Sequence, residues 1–148
     1  KYSVFDVRNE YTDQKIYPNA VGLHNSSASN FLTGKNSSEL AKYSDILLLG
    51  HEWSVDEELL KGMLLAQQKD PDSWRSRIGV IGSKSKWEAF SKSALKSGIE
   101  QQNLDQVDCP IGLNVGAETP AEIAVAVVGQ LLARIKSQDP EEDTWRDA

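Results

Sequence analysis

Residues 77–86 read RIGVIGSKSK. A short β-branched run, Arg77–Ile81, stops at Gly82, and Ser83 then opens a polar stretch. An apolar run of this length, closed by a glycine, suits a strand buried on both faces, as in parallel sheets. The helix that follows is expected from about Lys84 to Lys96, with Gly98 ending it. One strand feeding directly into one helix is the unit from which α/β folds are built.

The unit recurs upstream. Asp45–Gly50 (DILLLG) is a second apolar run ending at a glycine. Ser54, with Glu57 three residues on, forms a capping box for a helix reaching about Gln68. Leu59, Leu60, Met63 and Leu64 share one face of it. Tyr2–Val7 and Ala20–His24 read as two further strands. Asn25–Asn36 is rich in Ser and Asn and reads as a loop, and Ser37–Tyr43 as a helical turn or two. Lys69–Ser76 is another loop. Glu100–Gln106 is a short helical segment, and no fifth strand is evident. Downstream, Thr119-Pro-Ala-Glu122 is a second capping box with proline at the first helical position, opening a helix to about Lys136. Gln138–Ala148 reads as an acidic, disordered tail after a domain spanning 1–137. The fold expected is α/β: a parallel, Rossmann-like sheet with helices on both faces.

Composition narrows the class. The 148 residues are 39% hydrophobic and 26% charged, with a formal net charge of −6. That is one soluble domain's worth of core. The acidic balance argues against nucleic acid or anionic membrane as a partner. No apolar run approaches the ~20 residues a bilayer span needs. The single cysteine, Cys109, cannot form an internal disulfide, which favours a cytoplasmic setting. The chain begins at Lys1 without Met and enters a strand at once, which reads as a fragment or a processed chain.

Ligands of such sheets bind beyond the carboxyl ends of the strands. At Gly82-Ser83-Lys84-Ser85-Lys86 a glycine admits close approach, the new helix offers unpaired N–H groups, and Ser83, Lys84 and Lys86 add a hydroxyl and charge. This set either holds a phosphate or is a tight turn with solvated lysines. It is not a P-loop. His51 and Glu52 follow the third strand, where the histidine either transfers or shares a proton or stays solvated. With two histidines and one cysteine in the chain, a protein-only zinc site is not expected. Asp6 ends the first strand, where an acid ordinarily bonds a dinucleotide's ribose. The glycine-rich loop that should lie about 20 residues before it is absent from this sequence. Cys109 sits beside Asp108, which opposes a lowered thiol pKa, and about ten positions before the next expected helix, so it reads as a packed, unreactive thiol. No nucleophile–base pair is evident.

The second half resembles the C-terminal Rossmann domain of the XdhC/CoxI family, the xanthine dehydrogenase accessory factors. The family's pattern is approximately Y-[IV]-G-x-[IL]-G-S-x-x-K, then P-I-G-L-[DN]-[IL]-G-A-x-T-P-x-E-I-A. Ile78–Ser83 with Lys86 match the first part. Pro110–Ala117 and Thr119–Ala124 match the second. DILLLGHEW is similar to the family's strand ending in T-H-D: His51 matches, while Gly50 and Glu52 depart. KYSVFDVRNEY resembles the family's second Rossmann strand, with Asp6, Arg8 and Glu10 in place.

The resemblance implies a chaperone that binds molybdenum cofactor, supports exchange of its terminal sulfur and helps insert it into a xanthine-dehydrogenase-type hydroxylase. A cysteine desulfurase is a further implied partner. The phosphate of the pterin would then meet the Gly82–Lys86 turn. The placement of CPIGLNVGAETP after the last strand is expected to put Asn114 or Glu118 at the rim of the ligand crevice. An NAD(P)-binding oxidoreductase or dinucleotide sensor is the alternative, and a domain serving only in assembly a third.

In the usual order 3-2-1-4-5, the first strand lies in the middle of the sheet. Without it, Tyr2–Val7 would pair with Ala20–His24, and Asp45–Gly50 with Arg77–Ile81, with nothing joining the pairs. Unpaired buried edges are costly. A further segment, a second copy of the chain or a rearranged sheet is expected to fill the gap.

Overall fold

The computed structural model describes residues 1–33 and 37–141. Residues 142–148, most of the expected disordered tail, lie outside that range. The chain divides into two compact units, 1–109 and 110–148.

Among its described residues the first unit holds four strands, β1 (Ser3–Asp6), β2 (Gly22–Asn25), β3 (Asp45–Leu48) and β4 (Arg77–Val80), each parallel to the one it pairs with. They form two separate pairs, β1 with β2 and β3 with β4. The pairing expected from the missing central strand is thus observed. Each strand is shorter than the sequence suggested, although single bonds continue the ladders past their ends, from Val21 N to Tyr2 O (2.9 Å) and from Ile81 N to Leu48 O (2.9 Å).

The expectation that β3 is buried on both faces needs correction. Leu48 is buried, but Ile46 and Leu47 are half-buried and Leu49 is exposed. A strand with a neighbour on one side only leaves its other flank open. On the opposite side of β4, a fifth element does exist. Asp108 makes a single parallel bridge to Gly79, with Val80 N donating to Asp108 O (2.8 Å) and Asp108 N donating to Ile78 O (3.0 Å). Two hydrogen bonds are too few to leave a strand pattern in the sequence.

Helices α1 (Ala28–Leu32), α2 (Ser37–Leu40), α3 (Trp53–Lys69), α4 (Lys84–Lys96) and α5 (Gln101–Leu104) complete the unit. α3 contacts the other four. Its Leu59, Leu60, Met63 and Leu64 are buried in one cluster with Leu48, Ile78, Val80, Phe90, Ala94 and Leu104. Fully burying a side chain such as Leu60 or Leu64 is worth about 1.5–3 kcal/mol, so this face of α3 holds the unit together.

The Ser- and Asn-rich stretch read as a loop contains α1. Ser27 caps it by accepting from Asn30 N, and Ala28 is buried beneath it. Phe31 packs on Phe5 (4.6 Å between centroids) and on His24 (5.6 Å). Tertiary packing of two or three apolar side chains outweighs the weak helix propensity of Ser and Asn here.

The second unit is a looped strand of chain, Pro110–Glu118, folded onto α6 (Pro120–Lys136). Leu113 N donates to Ala126 O (3.1 Å), and Gly112 N to Gln130 Oε1 (2.8 Å). Gly112 and Gly116 have φ of 112° and 70°, the left-handed region that glycine occupies without steric cost. The capping box of Thr119 and Glu122 is formed as read. Among the described residues no helix is long and apolar enough to cross a membrane.

Candidate functional site

β3 and β4 run in register, Asp45 opposite Arg77 and Leu48 opposite Val80. Ile81 N donates to Leu48 O (2.9 Å). The chain therefore leaves both strands side by side, at Gly50 and at Gly82. Between these exits lies a buried ion pair. Lys86 Nζ donates to Asp56 Oδ2 (2.9 Å) and to Ile81 O (2.9 Å), while Asp56 Oδ1 accepts from Gly50 N (3.2 Å). The two side chains are 4% and 3% exposed. Phe90 and Trp53 flank the ammonium at 5.2 and 6.0 Å from their ring centres.

The two glycines make room for this pair. A Cβ on Gly82 would lie 2.7 Å from Lys86 Cδ, and one on Gly50 would press on Asp56 Oδ1. Both exits are thus tied to one strut: the β3 exit through Asp56, the β4 exit through Lys86.

Asp56 also corrects the expected start of α3. Ser54 does not cap this helix. Glu52 is the N-cap residue, without a side-chain hydrogen bond, and Trp53 is the first helical residue. The carboxylate that reaches back is that of Asp56, which bonds Gly50 N from inside the first turn. Sequence reasoning missed it, although a signal existed. Asp56, Leu59, Leu60 and Met63 stand at i, i+3, i+4 and i+7, a lone acid on an apolar face. Lys86 likewise shares its face with Phe90 and Ala94, all three buried.

Lys86, expected as a surface cation, is consequently spent on the strut. Ser83 caps α4, accepting from Lys86 N (3.4 Å), with its hydroxyl 2.9 Å from that of Ser85. Lys84 projects into solvent, 3.8 Å from Glu88. His51 and Glu52 are exposed next to the β3 exit. Ser83, Lys84 and Ser85 stand at the amino end of a 13-residue helix, which attracts anions through its unpaired N–H groups and dipole.

Asp6 lies at the carboxyl end of β1 and is engaged by Arg8. Arg8 Nε donates to Oδ1 (3.0 Å), Nη2 to Oδ2 (2.9 Å), and the Arg8 backbone N–H to Oδ1 (2.8 Å). The guanidinium, stacked 4.0 Å over the Tyr11 ring, holds the Asp6 carboxyl below the usual carboxylate range. Asn114 and Glu118 belong to the second unit and are exposed there. Cys109, half-buried, has its thiol pushed up by burial, with the Lys86 charge pulling weakly the other way. Among the described residues there is no cluster of three His, Cys, Asp or Glu able to hold a metal ion.

Residues 1–131 match the family model of the XdhC Rossmann domain. The chain belongs to this family. The XdhC domain is 24% identical over 138 residues to the uncharacterized protein YqeB of Escherichia coli K12, covering 93% of this chain and 23% of that protein. It also superposes on the crystal structure of a Bacillus halodurans protein described as a xanthine dehydrogenase. There the TM-score is 0.67 and the identity 23%, over 97% of this chain and 38% of the other. The latter likeness establishes the shared Rossmann-like fold. In both cases the chain spans well under half of its relative.

Proposed function

We propose that this XdhC domain takes part in maturing a molybdenum hydroxylase, by binding the phosphate-bearing pterin of molybdenum cofactor at the carboxyl ends of β3 and β4. The observation that carries the reading is the pinned exit pair. The Lys86–Asp56 strut holds two strand-to-helix turns together, so the amino end of α4, with Ser83 and Lys84, faces solvent beside His51 and Glu52. A phosphate fits this donor set. The cofactor would bring molybdenum and its exchangeable sulfur; this chain's residues would bind and orient the phosphate.

Dinucleotide binding finds less support, because both carboxylate oxygens of Asp6 are taken by Arg8. The client hydroxylase, a cysteine desulfurase and a cytoplasmic setting belong to the same proposal. So does a strand from outside residues 1–148 lying between β1 and β3. In a parallel ladder, alternate residues bond to opposite neighbours. Ser44 and Leu48 carbonyls accept from β4 and its extension, so Leu47 turns its peptide groups to the open edge.

The test is anaerobic titration of the purified protein with molybdenum cofactor, and separately with NADH, followed by intrinsic tryptophan fluorescence. Cofactor binding weakened at least tenfold by Lys84→Glu is expected. Tight NADH binding without cofactor binding, or cofactor binding indifferent to Lys84→Glu, would overturn the proposal.

A further inference from the structure

A second cavity lies at the amino end of β4, away from the Gly82 turn. Its volume is ≈ 540 Å³, and its walls come from the carboxyl end of α3, the chain entering β4 and the α5 segment. Every residue lining it belongs to the unit 1–109, and neither Asp6 nor any residue of the Gly82 turn is among them. Small-molecule sites have volumes of about 300–1,000 Å³, so the cavity is large enough to be one.

The wall is rich in side-chain amides. Gln67, Gln102, Asn103 and Gln106 line it, and among the described residues no carboxylate does. Gln67 and Asn103 are 8% and 6% exposed. Gln67 Nε2 donates to Gln106 Oε1 (2.9 Å), but Gln67 Oε1 and Asn103 Oδ1 are buried and accept no hydrogen bond among the described residues. A buried acceptor without a donor is costly and rare, so two on one cavity wall call for a donor. The terminal torsions of Asn and Gln are broad, and each amide can turn its oxygen to an N–H group that enters the cavity.

The rest of the wall is held in place. Trp74 Nε1 donates to Ser76 O (2.7 Å), and Ser76 Oγ lies 2.6 Å from Tyr43 O and 2.9 Å from Leu40 O. Two arginines add positive charge. The Arg77 fork is spent on Asp45 (2.8 and 2.9 Å). Arg75 is exposed, and its one hydrogen bond among the described residues runs from Nη1 to Trp74 O (2.9 Å). Most of its five donors are left for an anion.

Acceptors in the wall and a guanidinium at the exposed side select a molecule with N–H donors at one end and negative charge at the other. Asn and Gln amides pair with the amino edge of adenine, and arginine grips phosphate through parallel N–H bonds. We infer that this cavity binds an aminopurine nucleotide, the amino group donating to Asn103 and Gln67 and the phosphate held by Arg75.

Isothermal titration calorimetry of the whole chain with adenosine monophosphate tests this. A Kd below about 1 mM is expected. Purine riboside monophosphate lacks the amino group and adenosine lacks the phosphate; each should bind roughly tenfold more weakly or worse. Asn103→Leu should abolish binding of adenosine monophosphate yet melt no lower than the parent protein, because it removes an acceptor that the fold leaves unpaired. Arg75→Ala, at an exposed position, should weaken adenosine monophosphate towards the affinity of adenosine, and it carries the test should Asn103→Leu fail to fold. A Kd above about 1 mM, equal binding of the purine without its amino group, or binding indifferent to Asn103→Leu or to Arg75→Ala would each overturn the inference. So would a folded Asn103→Leu protein that melts lower than its parent, since the amide would then be serving the fold.

Discussion

Replacing Lys86 with Met removes the ammonium but keeps most of the buried stem. Asp56 is then left as a charge 3% exposed, with Gly50 N its one remaining partner among the bonds described above, and Ile81 O loses its donor. Removing one member of a buried ion pair costs about 3–5 kcal/mol, a large share of the 5–15 kcal/mol typical of a whole domain. Asp56→Leu strands Lys86 by the same logic and should cost a similar amount. The double variant buries no charge. It leaves only Gly50 N and Ile81 O without their partners, at about 1–3 kcal/mol for a group kept from water, and Gly50 is exposed enough to be hydrated. The double variant should therefore be more stable than either single one. Urea denaturation followed by circular dichroism at pH 7 measures all four corners of the cycle. Should a single variant fail to fold, recovery of a cooperative transition in the double variant carries the test. Additive losses, or a Lys86→Met cost below about 1 kcal/mol, would refute the reasoning.

Three other outcomes are expected. Gly82→Ala should destabilise by roughly 1–3 kcal/mol, because the added methyl meets the stem of a lysine fixed at both ends, and thermal melting will show it. The Asp6 carboxyl is held below its ordinary value in the fold, so its contribution is present above the unfolded value near 3.9 and is lost as pH falls through the lower folded one. Asp6→Asn should accordingly lower the melting temperature at pH 7 and make no difference once the solution is more acidic than the folded carboxyl's titration. Cys109, its thiol raised by burial, should react with a thiol-specific disulfide reagent more slowly at pH 8 than a free cysteine, and urea should abolish the difference.

The legible parts of the fold were those written in runs. DILLLG and RIGVIG announce strands, and TPAE announces the start of α6, because each rests on neighbours in sequence. The strand pairing was legible too, since a Rossmann-like order without its central strand permits only those two pairs. What escaped rests on distant residues. α1 is stabilised by Phe31 on Phe5 and His24, and the start of α3 by Asp56 reaching Gly50. Lys86 looked like a phosphate ligand because its spacing after Gly82 is that of a helix-entry cation; its counter-charge stands 30 positions upstream. Local pattern placed it on the right turn and on the wrong side of it.

The single bridge at Asp108 has a consequence for solubility. β4 would otherwise present a bare row of peptide groups to any passing strand. Val80 N and Ile78 O of that row are taken by the Asp108 backbone. Too short to serve as a template itself, this stub takes up the part of the β4 edge that it covers, and a strand from another copy would have to displace it to pair there.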